Sequence, residues 1–288
     1  MIQESHNKIY FDRMMASIGD KARVMEYLTP SGKVMDFGAG GGDLAETIRH
    51  TGREVVAVDG SAQAIKRINS LYPKIETVES MGNNLLHHFE TESFTNIVCS
   101  SIFHEVYSYG DDEHEPYQLK NIMDMMDIFK KLLKPKGHLI IRDGVAPSNY
   151  YEKFFLKFKT PDGMKFLNEY VHKAPFHNPK EASFGKVHYD MLGDFTVEAD
   201  MSSIMELIYT YTWGWDSLPR ESQEFYGIMT LNDYKNSLAN NGWKIPYAEE
   251  YLQPGYPKNL EHLIELFDSN GNPIAYPSSN MIIVAEKS

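Results

Sequence analysis

Four glycines and three carboxylates carry the first chemical signal. In "KVMDFGAGGGDLAETI" (33–48) an apolar run reaches Asp36, breaks at Gly38, Gly40, Gly41 and Gly42, and gives way after Asp43 to a helical alternation. A second apolar run, "VVAVDGS", ends on Asp59, 19 residues beyond Gly40. A glycine-rich turn between a strand and a helix is a nucleotide cradle, because the missing Cβ atoms let backbone amides approach a ligand. The dinucleotide pattern G-x-G-x-x-G puts its third position on Asp43 when counted from Gly38, and on Ala45, a tolerable match, when counted from Gly40. Charge argues against it. A pyrophosphate here would lie between Asp36 and Asp43 in a low-dielectric crevice, where like charges cost most. The Gly-Lys-Ser/Thr of a Walker phosphate loop is missing. Further along, His104 and Glu105 directly follow the apolar run "FTNIVCSSIF", and Arg142 and Asp143 close the run "HLIIRDG". Histidine titrates where a general base must, and an arginine and an aspartate at the carboxyl end of a strand read equally as ligand-facing groups or as a local ion pair.

The elements that must position these residues follow from periodicity. "KVMDFG" (33–38), "EVVAVDG" (54–60), "IETVES" (75–80), "SFTNIVCSSIF" (93–103) and "HLIIRDG" (138–144) read as strands. Helical patterns over 42–51, 61–72 and 116–134 separate them, with Ser61 as an N-cap and Pro135-Lys136-Gly137 as a stop. Strands apolar on both faces, alternating with helices, predict an α/β fold with a parallel sheet covered on both sides. Residues 6–28 read as one or two amphipathic helices ending before Thr29-Pro30. From 145 to 229 periodicity is poor and aromatic and histidine residues are frequent. The alternation returns with a helix over 230–243, a strand over 244–252, a hairpin about Asn270-Gly271 and a last strand over 280–287. The expected organisation is a helical lid over 1–32, a core over 33–144, an insertion over 145–229 above the carboxyl ends of the strands, where open parallel sheets bind ligands, and a C-terminal part over 230–288 completing the sheet.

Read as Asp36-x-Gly38-x-Gly40-x-Gly42, the loop resembles the first motif of class I S-adenosylmethionine-dependent methyltransferases. Asp59 at the end of the second strand and the Pro-Lys-Gly entry to the fifth extend the resemblance across 33–144. It implies a three-layer Rossmann-like sheet of seven strands whose antiparallel last strand runs between the fifth and sixth. It also implies S-adenosyl-L-methionine as cofactor and S-adenosyl-L-homocysteine as product. Asp36 would help hold the methionine end, with Gly38, Ala39, Gly40 and Gly42 giving the backbone approach. Asp59 and Gly60 would meet the ribose. Ser80 and Met81, with Glu79 and Asn83 as further candidates, would lie beside the adenine, and Ser100 would lie at the floor of the site. In this family "FHE"-like sequences after strand four are frequent, and their histidine often packs or caps locally. The expected catalytic set is His104, Glu105, Arg142 and Asp143. Tyr107, Tyr109, Tyr150, Trp213, Trp215 and Arg220 are the candidates for the acceptor side. The alternating aromatics of "IYTYTWGW" read equally as an aromatic wall for a flat or cationic acceptor or as the inward face of a strand.

Forty acids against 28 bases give a formal net charge of −12, with no dense Lys/Arg block. That leans away from nucleic acid and toward small or cationic partners. A single cysteine, Cys99, excludes an internal disulfide and suits a cytoplasmic protein. The first twenty residues lack a signal peptide's apolar core, and no apolar run approaches a membrane span. His172, His177, His188 and Asp190 match no tight ligand spacing, so no metal is expected. Asp111, Asp112, Glu113 and Glu115 read as a solvated loop. The expected protein is a monomeric or homodimeric methyltransferase acting on O or N of a small molecule. The alternatives are an RNA or tRNA methyltransferase, a non-catalytic S-adenosylmethionine-binding protein, or a decayed Rossmann domain that binds nothing.

Overall fold

The computed structural model describes residues 18–110, 114–174 and 187–288. Residues 1–17 of the expected lid, Asp111, Asp112, Glu113 and His177 lie outside the described residues. The chain divides into two compact units, one of residues 1–143, 232–249 and 281–288, the other of 144–231 and 250–280.

The first unit carries a seven-stranded sheet. Its strands are β1 (Val34–Phe37), β2 (Val55–Asp59), β3 (Glu76–Glu79), β4 (Phe94–Ser100), β5 (Leu133–Gly144), β9 (Trp243–Tyr251) and β11 (Asn280–Lys287), in the spatial order β3-β2-β1-β4-β5-β11-β9. The pairs β1–β2, β1–β4, β2–β3 and β4–β5 are all parallel. The last strand runs between β5 and β9, the order that the family resemblance implies. All four residues of β1 are buried, as are the first four of β2, because helices cover both faces. Helix α1 (Asp43–Arg49) starts from Gly42 in the left-handed region, and α2 (Ala62–Leu71) is capped by Ser61, whose Oγ accepts the Ala64 amide at 3.3 Å. Helix α3 (Phe103–Tyr109) follows β4. Helix α4 (Leu119–Leu132) buries Ile122, Met125, Met126, Phe129 and Leu132, one apolar stripe. It ends two residues before the expected limit, and β5 begins at once. Pro135-Lys136-Gly137 is therefore an irregularity inside the strand, with Lys136 at φ 62°, and not a linker before it. Helix α7 (Leu231–Asn240) leads into β9. At the front of the unit a helical turn, Ile18–Lys21, runs into a 3₁₀ helix, Ala22–Tyr27, whose Val24 is part of the core with Val34, Leu44, Ile48 and Ile68.

The second unit is ordered where periodicity was poor. Strands β6 (Lys153–Phe158), β7 (Tyr189–Gly193), β8 (Thr196–Asp200) and β10 (Ile264–Phe267) form an antiparallel sheet in the order β10-β6-β8-β7. Helix α5 (Pro161–Lys173) buries Gly163, Phe166, Leu167 and Tyr170. Two expectations are corrected. "IYTYTWGW" is not a strand face: it ends α6 (Met201–Trp213), capped by Asp200, whose Oδ1 accepts the Ser203 amide at 2.8 Å. The helix is buried almost all round, so it has no polar stripe and mimics no helical period. Residues 252–279, between β9 and β11, belong to this unit and not to the core sheet. The Asn270-Gly271 turn exists, tied by the Asp268 carboxylate to the Asn270 and Asn272 amides at 2.9 and 2.8 Å, but its strand β10 pairs with β6. Among the described residues no helix is long and apolar enough to cross a membrane.

Candidate active site

The site is built at the carboxyl ends of β1, β2, β4 and β5. At β1, Asp36 is 1% exposed and its Oδ2 has no hydrogen-bond partner among the described residues, while the Ala45 amide supports the carboxyl. Burial pushes this carboxyl up to about 7. Lys21 opposes the rise and Asp59 adds to it. Gly38, Gly40 and Gly42 all have positive φ, and a Cβ on Gly38 would lie 2.4 Å from Ile102 Cγ1. Amides of Gly38 and Ala39 donate to the Val58 carbonyl at 2.9 and 3.0 Å, which ties the loop to β2. Asp43, half-buried at the start of α1, is not loose at the loop's entrance: Tyr72 donates its hydroxyl to Oδ1 at 2.5 Å. Burial and that bond raise the phenol to about 12.

At β2, Asp59 Oδ2 accepts the Gly40 amide and Oδ1 the Ser61 amide, each at 2.8 Å. The carboxylate is thus oriented by the glycine loop and by the start of α2. Beside it, the Ser80 amide donates to the Asp59 carbonyl at 3.1 Å, and Met81, 47% exposed, lies over Gly60, where a Cβ would come within 2.5 Å of its sulfur. Glu79 is exposed and Asn83 half-buried. Ser100, at the end of β4, is buried, and its Oγ has no partner among the described residues.

Arg142 and Asp143 do not pair with each other. Successive strand residues face opposite sides of a sheet, so the two diverge. Arg142, 1% exposed, donates Nε–H to Asp20 Oδ2 at 2.9 Å, bonds the same carboxylate through Nη2, and donates from Nη1 to Ser101 Oγ at 2.8 Å. Asp143 reaches the start of α3. Its Oδ2 accepts the amides of Ile102, Phe103 and His104 at 3.0, 2.7 and 3.4 Å, and its Oδ1 lies 2.6 Å from His104 Nδ1. The carboxylate therefore caps the helix and fixes the imidazole that the helix carries. Glu105 is half-buried. Tyr107 is buried edge-on to Tyr117 at 6.0 Å, and Tyr109 is exposed.

A cleft at the glycine loop is lined by Asp36, Gly38, Ala39, Asp43 and Ser100, and also by Ile18 and Lys21. Lys21, Asp20 and Ser101 are the participants that motif spacing missed. Lys21 is half-buried and its amine is lowered to about 8, by burial first and then by Arg142, while Asp36, Glu105 and Asp143 push it back. In the second unit, Tyr150 lies 4.0 Å from the Tyr151 ring. Trp213 ends α6. Trp215 donates its indole N–H to Asp162 at 2.9 Å and stands edge-on to Phe166 at 5.0 Å, and Arg220 lies 3.5 Å from Glu224. The aromatic residues of this stretch are packed against one another, with Phe166 also 4.6 Å from Tyr211.

A buried carboxylate with one oxygen unpartnered among the described residues, a glycine loop in which a Cβ on Gly38 or Gly42 would clash, and a preset second carboxylate fit a cationic nucleoside ligand. A family model described as a methyltransferase domain matches residues 10–245. The chain belongs to this methyltransferase family. Sequence comparison with curated proteins finds no match. Among solved structures the methyltransferase is similar to a SAM-dependent methyltransferase from Methanosarcina mazei (14% identity over 92% of this chain and 96% of that one, TM-score 0.51). It is also similar to an S-adenosylmethionine-dependent methyltransferase from Mesorhizobium loti (14%, 92% and 95%, 0.52). A chain of the complex between the Haloferax volcanii Trm112 methyltransferase activator and a methyltransferase is a third (11%, 99% and 95%, 0.52). At these identities the likeness is one of fold. Family membership makes the protein an enzyme whose cofactor is S-adenosylmethionine, and Asp36, the Gly38–Gly42 backbone and Asp59 are the groups that would hold it.

Proposed function

We propose that this methyltransferase transfers a methyl group to an oxygen or nitrogen atom of a small-molecule acceptor, with His104 as general base and Asp143 as the residue that orients it. The observation that carries the reading is the 2.6 Å contact between His104 Nδ1 and an Asp143 carboxylate that also accepts the first amides of α3. When bound, S-adenosylmethionine supplies an electrophilic methyl group on a sulfonium. A neutral imidazole that donates Nδ1–H to a fixed carboxylate keeps its basic lone pair on Nε2. There it takes the proton that the acceptor's O–H or N–H gives up as its lone pair forms the new bond to carbon. Glu105, next to His104, adds negative charge that favours the imidazolium formed in that step. The acidic balance of 40 carboxylates against 28 bases speaks for a small acceptor over a polyanion.

The test is to incubate the purified protein with methyl-labelled cofactor and a cell extract separated into small-molecule, RNA and protein fractions. Label should enter the small-molecule fraction, and the pH–rate profile should show a rising limb that His104→Ala removes. Label in RNA, or an unchanged profile, defeats the proposal.

A further inference from the structure

The helical turn Ile18–Lys21 brings two opposite charges, adjacent in sequence, to the ends of β1 and β5. Asp20, its side chain 6% exposed, is bonded twice by the Arg142 guanidinium, which is itself fixed to Ser101. A guanidinium as buried as Arg142 is costly without a partner, so the pair fixes this turn against β5. Lys21, one residue on, is thereby held at the cleft that Asp36 and Gly38 line. Lys21 attracts Asp36 electrostatically, yet it gives no hydrogen bond to Asp36 Oδ2, which is buried and has no partner among the described residues. A cation and an anion thus flank one cleft without neutralising each other in contact. That is the receptor an α-amino-acid zwitterion requires, with a group of each sign for its two ends.

With S-adenosylmethionine as the cofactor, we propose that Lys21 is a specificity-determining residue that receives the carboxylate of its amino-acid end, and that the buried Asp20–Arg142 pair is the device that positions Lys21 there. Asp36, which lines the same cleft, takes the ammonium. Arg142 repels Lys21, so Asp20 acts twice, anchoring the turn and offsetting the charge that would otherwise drive Lys21 away. The groups that act on Lys21 are Arg142 against it and Asp36, Glu105 and Asp143 with it.

The experiment compares two ligands by calorimetry on the full chain: S-adenosylhomocysteine, and 5′-methylthioadenosine, which keeps the adenine, ribose and sulfur and lacks the amino-acid end. Lys21→Met should weaken S-adenosylhomocysteine binding by about 10- to 100-fold, the range of one charge-assisted hydrogen bond. It should leave 5′-methylthioadenosine within about twofold, which also shows that the variant is folded. Lys21→Arg should recover part of the loss, and Asp20→Asn should reduce the preference for the amino-acid ligand by about 3- to 10-fold. Equal weakening of both ligands by Lys21→Met, or no change in either, overturns the proposal, since a structural role would not separate them. Wild-type protein that binds neither ligand overturns the cofactor assignment and the proposal together.

Discussion

Asp36→Asn should stabilise the ligand-free protein while it weakens cofactor binding, and the stability difference should grow with pH. The carboxyl is 1% exposed, and burial, opposed by Lys21 and reinforced by Asp59, moves it from an ordinary 3.8 to about 7. Between those values the folded protein keeps a proton that the unfolded chain has released. Stability falls as pH rises wherever the folded state binds more protons. The cost begins near pH 4, grows by about 1.4 kcal/mol per pH unit, and levels off above pH 7, where the folded carboxyl ionises as well. Integrated between the two values, it is about 2 kcal/mol at pH 5 and about 4 kcal/mol at pH 8. Asparagine keeps the shape and the acceptor for the Ala45 amide but carries no charge, so it escapes this cost. Its new N–H donors add a penalty on the order of 1–3 kcal/mol if unmet, but that penalty does not titrate. The diagnostic is therefore the slope. The stability difference between variant and wild type, from urea unfolding of ligand-free protein, should increase by about 2–3 kcal/mol between pH 5 and pH 8, equivalent to roughly 5–10 °C in Tm for a domain of this size. Groups that do not couple to Asp36 cancel, and loss of Asp36 lets the Lys21 amine fall further, which adds to the slope in the same direction. A difference that stays flat across this range refutes the buried-charge reasoning, whatever its sign. S-adenosylhomocysteine affinity should fall by about 10- to 100-fold in the same variant, because the charge that destabilises the empty site is the charge that meets the ligand's ammonium.

Three further outcomes follow from the geometry. His104→Ala should lower kcat by about 10²–10⁴-fold with S-adenosylhomocysteine affinity nearly unchanged, and Asp143→Asn should lower kcat while also loosening the start of α3; stopped-time methylation assays beside calorimetry separate the two effects. Asp59→Ala removes the acceptor of the Gly40 and Ser61 amides together with the candidate ribose acceptor, and equilibrium dialysis should show cofactor affinity reduced by about 10²-fold or more. Gly38→Ala puts a Cβ 2.4 Å from Ile102 Cγ1 on a residue at φ +73°. It should cost on the order of 1–3 kcal/mol of stability in urea unfolding, with loss of cofactor binding.

The core sheet was legible because parallel strands buried on both faces read as unbroken apolar runs, and β1, β2 and β4 are such runs. The glycine loop and Asp59 were legible because loop and strand end sit at short, fixed spacing. The second unit was hidden for two reasons. In β6, "KFFLKF", burial alternates residue by residue, but Phe155 occupies one of the outward positions, so the sequence does not alternate apolar with polar. Its central helix α6 is apolar nearly all round, so the tyrosines and tryptophan of "YTYTW" looked like alternation. Asp20 and Lys21 were invisible to motif reasoning because the contact that gives them meaning joins positions 122 residues apart. Arg142 and Asp143 were visible as a pair, but adjacency suggested the wrong bond.

Asp36 and Asp143 end neighbouring parts of one sheet, are equally buried, and are treated in opposite ways. Asp143 accepts three backbone amides and faces an imidazole. These bonds fix the start of α3 and the imidazole, so its work is to hold other groups still. Asp36 keeps one oxygen unmet in the interior, a state that costs stability and persists beside a lysine that does not close on it. Nothing in the packing of β1 requires an acid there. A neutral residue would fold better, so the charge is explained only by what enters the cleft. Saturation identifies the positioning carboxylate, and the unpaid oxygen identifies the one that waits for a ligand, which is why the two should respond oppositely to isosteric neutralisation: Asp143→Asn by losing stability and rate, Asp36→Asn by gaining stability and losing affinity.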